Sequence, residues 1–168
     1  MNKRGDGPKN GSDGSGEGGE AAGFAGKRAL LVEDNLINME IADMILTQPG
    51  FTVDKAENGQ IAVDMIRGAE AGTYDLVPMD IQMPVMDGYE ATRTIRAMED
   101  GRKAAIPIVA MTANAFKEDE AAAMEAGMQA HIAKPIDVDS MMKTLGRVLR
   151  ESARTDETRR QAGQETIR

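Results

Sequence analysis

The sequence predicts a doubly wound α/β domain, a five-stranded parallel sheet with helices on both faces. Five short apolar runs alternate strictly with five amphipathic stretches, and Gly, Pro, Asn and Asp gather at the joints. Strands that alternate with helices join through right-handed crossovers, which cover both faces of a parallel sheet. Composition agrees, since 168 residues with 41% hydrophobic side chains can build one packed core. That core must use Ala, Val, Ile, Leu and the 13 Met, because Trp is absent and only two Tyr and three Phe occur.

The elements follow in order. Residues 1–26 hold nine of the 18 glycines among polar residues and read as a flexible linker or tail. Ala29-Leu30-Leu31-Val32 is a buried-strand run. Asn35 to Thr47 follows as a helix, with Ile37, Ile41, Met44 and Ile45 at helical spacing, and Pro49-Gly50 ends it. Phe51 to Ala56 is a second strand. After the Asn58-Gly59 turn, Ile61, Ala62, Met65 and Ile66 line one face of a second helix.

Leu76 to Met79 is a third strand, and a loop then leads to a helix from about Tyr89 to Met98. Ile106 to Met111 is a fourth strand, before a helix from about Lys117 to Ala126 that Gly127 caps. His131-Ile132-Ala133 is a short fifth strand. Val138 to Arg150 is the last helix, with Met142, Leu145, Val148 and Leu149 inward. The folded body is thus placed at 27–152, and 153–168 reads as a polar C-terminal tail.

Bulk properties exclude several classes. A net charge of −8 offers no grip on a nucleic-acid backbone, so direct nucleic-acid binding is not expected. Cysteine is absent, which removes disulfides and thiolate catalysis and fits a reducing compartment. The start carries no apolar signal-peptide core and no run is long enough to span a bilayer, so a soluble cytoplasmic protein without membrane insertion is expected.

In doubly wound folds the ligand site lies outside the carboxyl ends of the strands. There the sequence puts Glu33 and Asp34 after the first strand, Asp80 after the third, Thr112 after the fourth and Lys134-Pro135 after the fifth. Taken singly, an acidic pair is a solvated turn, an Asp or Thr is a helix cap and Lys-Pro is a loop. Together, three carboxylates, a hydroxyl and an ammonium share the edge where this fold builds its sites.

Close carboxylates repel, and hard oxygen ligands suit Mg²⁺ or Mn²⁺, so a metal site is implied. With Asp80 as nucleophile, Lys134 and the ion can neutralise charge on a transferring phosphoryl group while the Thr112 hydroxyl donates to it. A Ser-His-Asp or Cys-His set is not available, since the chain has one His and no Cys.

These residues stand in recognisable runs: Leu30-Leu31-Val32-Glu33-Asp34-Asn35 with Asn38, Met79-Asp80-Ile81-Gln82-Met83-Pro84-Val85-Met86-Asp87-Gly88, Ala110-Met111-Thr112-Ala113-Asn114-Ala115, and Ala133-Lys134-Pro135. Over about 28–150 the chain resembles the receiver domains of two-component response regulators, most of all those attached to hybrid sensor histidine kinases.

The resemblance implies a flavodoxin-like strand order 2-1-3-4-5 and phosphorylation of Asp80 by a histidine kinase or histidine phosphotransfer protein. It implies Mg²⁺ on Asp34, Asp80 and the Gln82 carbonyl, with Glu33 acting through a metal-bound water. Thr112 and Lys134 would contact the phosphoryl oxygens, and His131 would turn with Thr112 as a switch. Gln82 and Asn114 fall where the family tunes acyl-phosphate hydrolysis. Output is expected through protein contacts near the helix from Lys117, the fifth strand and the last helix.

Such a domain catalyses its own phosphorylation and dephosphorylation but is mainly a signalling switch, and the lone His131 on a strand leaves no kinase or phosphotransfer site in this chain. The competing reading is a non-phosphorylated binding module that keeps its carboxylates for structure. Pro78 departs from the pattern: it deletes a ladder donor inside the central strand, so a local gap and lowered stability are expected beside Asp80.

Overall fold

The structure, a computed structural model, describes residues 24–113 and 117–167. Most of the Gly-rich segment and Asn114 lie outside the described residues. Five strands, β1 (Arg28–Val32), β2 (Thr52–Ala56), β3 (Val77–Asp80), β4 (Ile108–Thr112) and β5 (Ala130–Ala133), form one sheet in the order β2-β1-β3-β4-β5. All four pairings are parallel, so the doubly wound fold and its strand order are as expected.

The helices are α1 (Leu36–Thr47), α2 (Gly59–Gly68), α3 (Gly88–Arg96), the single turn α4 (Gly101–Ala104), α5 (Lys117–Ala126) and α6 (Val138–Ile167). Asn35, Asn58 and Asp87 cap α1, α2 and α3, each side chain accepting from the amide three residues on. Gly127 takes φ +110 after α5, a conformation that costs glycine nothing, and Met128 N–H closes back onto Ala123 O at 3.0 Å. No described helix is long and apolar enough to cross a membrane.

Alternation along each strand sorts the core into two layers. Leu30, Val32, Val77, Met79, Ile108 and Ala110 face α2, α3 and α5, while Ala29, Leu31, Leu76, Val109, Met111 and Ile132 face α1 and α6. Full burial of such side chains is worth about 1.5–3 kcal/mol each. The Phe24 ring stacks on Phe51 with centroids 4.8 Å apart. α6 runs 30 residues and continues through the segment read as a tail.

Three helical faces differ from expectation. In α1 the residues against the sheet are Met39, Ala42 and Leu46, whereas Ile37 (71% exposed), Ile41 (45%) and Met44 (65%) face outward with Leu36. This helix is apolar on most of its circumference, so spacing alone leaves its rotation open. In α2, Val63 joins Ala62 and Ile66 inside while Ile61 is exposed. In α6, Met141 is fully buried and Met142 only partly.

Pro78 produces the expected gap, on one side only. Val77 N–H donates to Pro107 O at the β4 edge, so the alternating pattern turns position 78 toward β1, where proline has nothing to donate. β3 pairs with β4 without interruption from Val77↔Ile108 to Asp80↔Met111. Against β1 only Val32↔Met79 and the isolated bridge Ala29↔Leu76 remain, in the same register, so no bulge is inserted.

Candidate functional site

Asp80 is the last residue of β3 and Glu33 the first after β1, two neighbouring central strands, so their carboxylates meet at the sheet edge. Both are buried, and Asp34 beside them is exposed. One oxygen from each of Glu33, Asp34 and Asp80 lies within 4.8 Å of the others. Glu33 is held in place because its Oε2 accepts from Asn35 N–H at 3.1 Å, across the turn that starts α1.

Lys134 reaches this cluster from β5. Its backbone N–H donates to Thr112 O at 2.8 Å, locking the ends of β4 and β5 together. Its Nζ then stands 2.8 Å from Glu33 Oε1 and 3.2 Å from Asp80 Oδ1. Thr112, buried at the end of β4, borders the same edge. The Lys134–Pro135 peptide is cis.

Gln82 lines a surface cavity with Asp87, Tyr89, Thr112 and Asp119. The loop carrying it turns at Val85, whose φ of +71 and the bond from Met86 N–H to Pro84 O make a γ-turn of the rare positive-φ kind. Gly88 lets α3 start against the strand end, since a Cβ there would run into the Asp80 carbonyl.

The electrostatics follow from this packing. Burial first, and then the Glu33 charge, push the Asp80 carboxyl up to about 6, against the pull of Lys134. Burial works to lower the Lys134 ammonium, but its bond to Glu33 and the charges of Asp80 and Glu33 prevail and raise it. A cluster of hard oxygens with one ammonium, and with negative charge in excess, suits a small divalent cation.

The structure therefore brings together Glu33, Asp34, Asp80, Thr112 and Lys134, with Gln82 close by in the loop. His131 sits apart on β5, paired with Ala110 of β4, and its Nε2 lies 3.0 Å from Glu120 Oε2 on α5. Two residues outside this cluster carry tertiary contacts that the sequence does not signal. Glu120 gave no signal beyond an acidic helix start. Arg96 is half-buried at the end of α3 and donates to the carbonyls of Gly127, Ala104 and Ile106 and to Gln129 Oε1, and desolvation lowers its guanidinium to about 10. A basic residue in the last turn of a helix reads as an ordinary dipole partner.

Residues 29–146 match the response regulator receiver domain family. Over 158 residues the chain is 39% identical to Histidine kinase 1 of Arabidopsis thaliana, a match covering 76% of this chain but only 13% of that protein. It is 45% identical over 116 residues to a two-component response regulator of Oryza sativa subsp. japonica, covering 68% of this chain and 87% of the relative. Among solved structures, the receiver domain of a sensor histidine kinase from Pseudomonas aeruginosa, with a magnesium ion coordinated in its active site cleft, is 39% identical with a TM-score of 0.66. That likeness covers 74% of this chain and 98% of that one.

Proposed function

The chain belongs to the response regulator receiver domain family of two-component signalling, and from that premise we propose that Asp80 is its phosphoacceptor, charged from a phosphohistidine in a Mg²⁺-dependent reaction. The observation that carries this reading is the Lys134 ammonium bridging the buried carboxylates of Glu33 and Asp80 beside the exposed Asp34. Glu33, Asp34, Asp80 and the carbonyl of Gln82 would hold the cation, and the Mg²⁺-bound structure of the P. aeruginosa relative supports that choice. When bound, the ion neutralises charge on the phosphoryl oxygens and on the carboxylate that attacks.

The remaining chemistry is the work of the chain's own groups. An Asp80 oxygen attacks phosphorus as the nitrogen–phosphorus bond of the donor breaks, and the departing imidazole is reprotonated from solvent. Lys134 leaves its contact with Asp80 to pair with a phosphoryl oxygen, and the Thr112 hydroxyl donates to another. The product is an acyl phosphate on Asp80, which draws Thr112 inward and turns His131 with it.

The donor is a histidine kinase or a histidine phosphotransfer protein. Leu36, Ile37, Ile41 and Met44 form an exposed apolar strip that begins two residues past Asp34, a landing surface for such a partner beside the acceptor. Output passes through protein contacts on the face made by α5, β5 and α6. Labelling by acetyl phosphate tests the reading. It should require Mg²⁺ and disappear in Asp80→Asn, and a wild-type chain that takes no label with Mg²⁺ present would overturn it.

A further inference from the structure

His131 and Glu120 tie β5 to α5 at a point that the transfer chemistry does not use. His131 lies on the sheet face that carries α5, opposite Ala110, two residues before Ala133, which is paired with Thr112. Its Nε2 is 3.0 Å from Glu120 Oε2, with side-chain exposures of 28% and 47%. The imidazole donates to that oxygen either as the neutral Nε2–H tautomer or as the cation.

The other side-chain ties on α5 are unequal. Beyond its C-terminal end, Arg96 Nε donates to Gly127 O at 2.9 Å. Nearer its start, the Tyr89 hydroxyl reaches Asp119 O only at 3.5 Å, the outer limit of a hydrogen bond. Among the described residues, then, the two short side-chain bonds that tie α5 are Arg96 beyond its far end and His131 on Glu120 near its start.

We infer that the His131–Glu120 pair is a latch, holding the first turns of α5 against β5 in the unmodified chain and opening when Asp80 is modified. The inference rests on the phosphoacceptor reading above and adds what the switch must break. An inward turn of His131 takes Nε2 away from Glu120, so closing the latch and phosphorylating Asp80 oppose each other. A pair this exposed is weak, so its loss shifts the equilibrium only a few-fold. Linkage then requires that loss of the latch favour the modified state to the same degree that modification opens the latch.

Beryllofluoride, a phosphoryl mimic, measures this as a binding equilibrium in the full chain with Mg²⁺. The chain has one histidine, so the imidazole resonances belong to His131 without assignment. In wild type they should shift on saturation together with the α5 amides. Glu120→Ala should bind the mimic two- to fivefold more tightly, and its free imidazole signal should move toward the saturated position.

Glu120→Gln removes the same charge but keeps an acceptor oxygen, and should stay within twofold of wild type. Tighter binding by both variants alike would make the effect one of charge and overturn the latch. Wild-type binding with an unmoved His131 signal, or Glu120→Ala binding like wild type, would also overturn it. A wild-type chain that neither binds the mimic nor takes label would fail at the underlying phosphoacceptor reading, and the latch would fall with it.

Discussion

Glu33 and Lys134 stand 101 residues apart in the chain and 2.8 Å apart in space. Their contact ties the first strand to the last and places a cation against Asp80, although β1 and β5 share no edge in the sheet. The arrangement holds negative charge in excess, with Asp80 least at ease in it.

That discomfort has a pH signature. In the folded chain Asp80 keeps its proton up to about 6, whereas in the unfolded chain an aspartate ionises near 3.9. Between those values the native state binds more protons, so the stability contributed at this site falls as pH rises from about 4 to about 6 and stays lost above that. In metal-free buffer, Asp80→Asn should therefore be more stable than wild type by about 1–3 kcal/mol near neutral pH, with the gain shrinking toward zero near pH 4. Denaturant titrations at the two pH values check this, and an equal gain at both would refute the assignment.

The outward strip on α1 predicts a separation of donors. Ile37→Glu with Ile41→Glu should slow transfer from a phosphohistidine protein at least tenfold, because charges would replace the apolar contact surface. A small donor needs no such surface, so acetyl phosphate labelling should change by less than twofold. Equal losses with both donors would show that the strip supports the site and not the docking.

Pro78 gives a third prediction. Pro78→Val restores an amide facing β1 on a β-branched residue suited to a strand and should raise stability by about 1 kcal/mol, the usual net worth of a backbone hydrogen bond. Thermal unfolding would show it, and an unchanged or lower midpoint would mean that the gap costs nothing.

Much of this protein was legible from its sequence, and the reasons are local. Leu30-Leu31-Val32 and Ile108-Val109-Ala110-Met111 are buried on both faces, which only a covered parallel strand demands. Once the alternation fixes the topology, Asp80, Thr112 and Lys134 fall at strand ends by counting, and the geometry of a parallel sheet brings them to one edge. Pro78 could also be read directly, because a missing donor is a property of the residue.

What only the tertiary structure decided depends on surfaces meeting. α1 carries two apolar stripes, and docking on the sheet selected Met39, Ala42 and Leu46 over Ile37, Ile41 and Met44. Arg96 became a half-buried anchor because carbonyls at the ends of α4 and α5 converge on it. The pairing of His131 with Glu120 likewise needed α5 laid across β5. Sequence by itself determined which groups carry charge and on which side of each strand they emerge, since chain chemistry and strand period set both. Which of them touch was left to packing, because contact distances exist only after separate elements have buried their faces against one another.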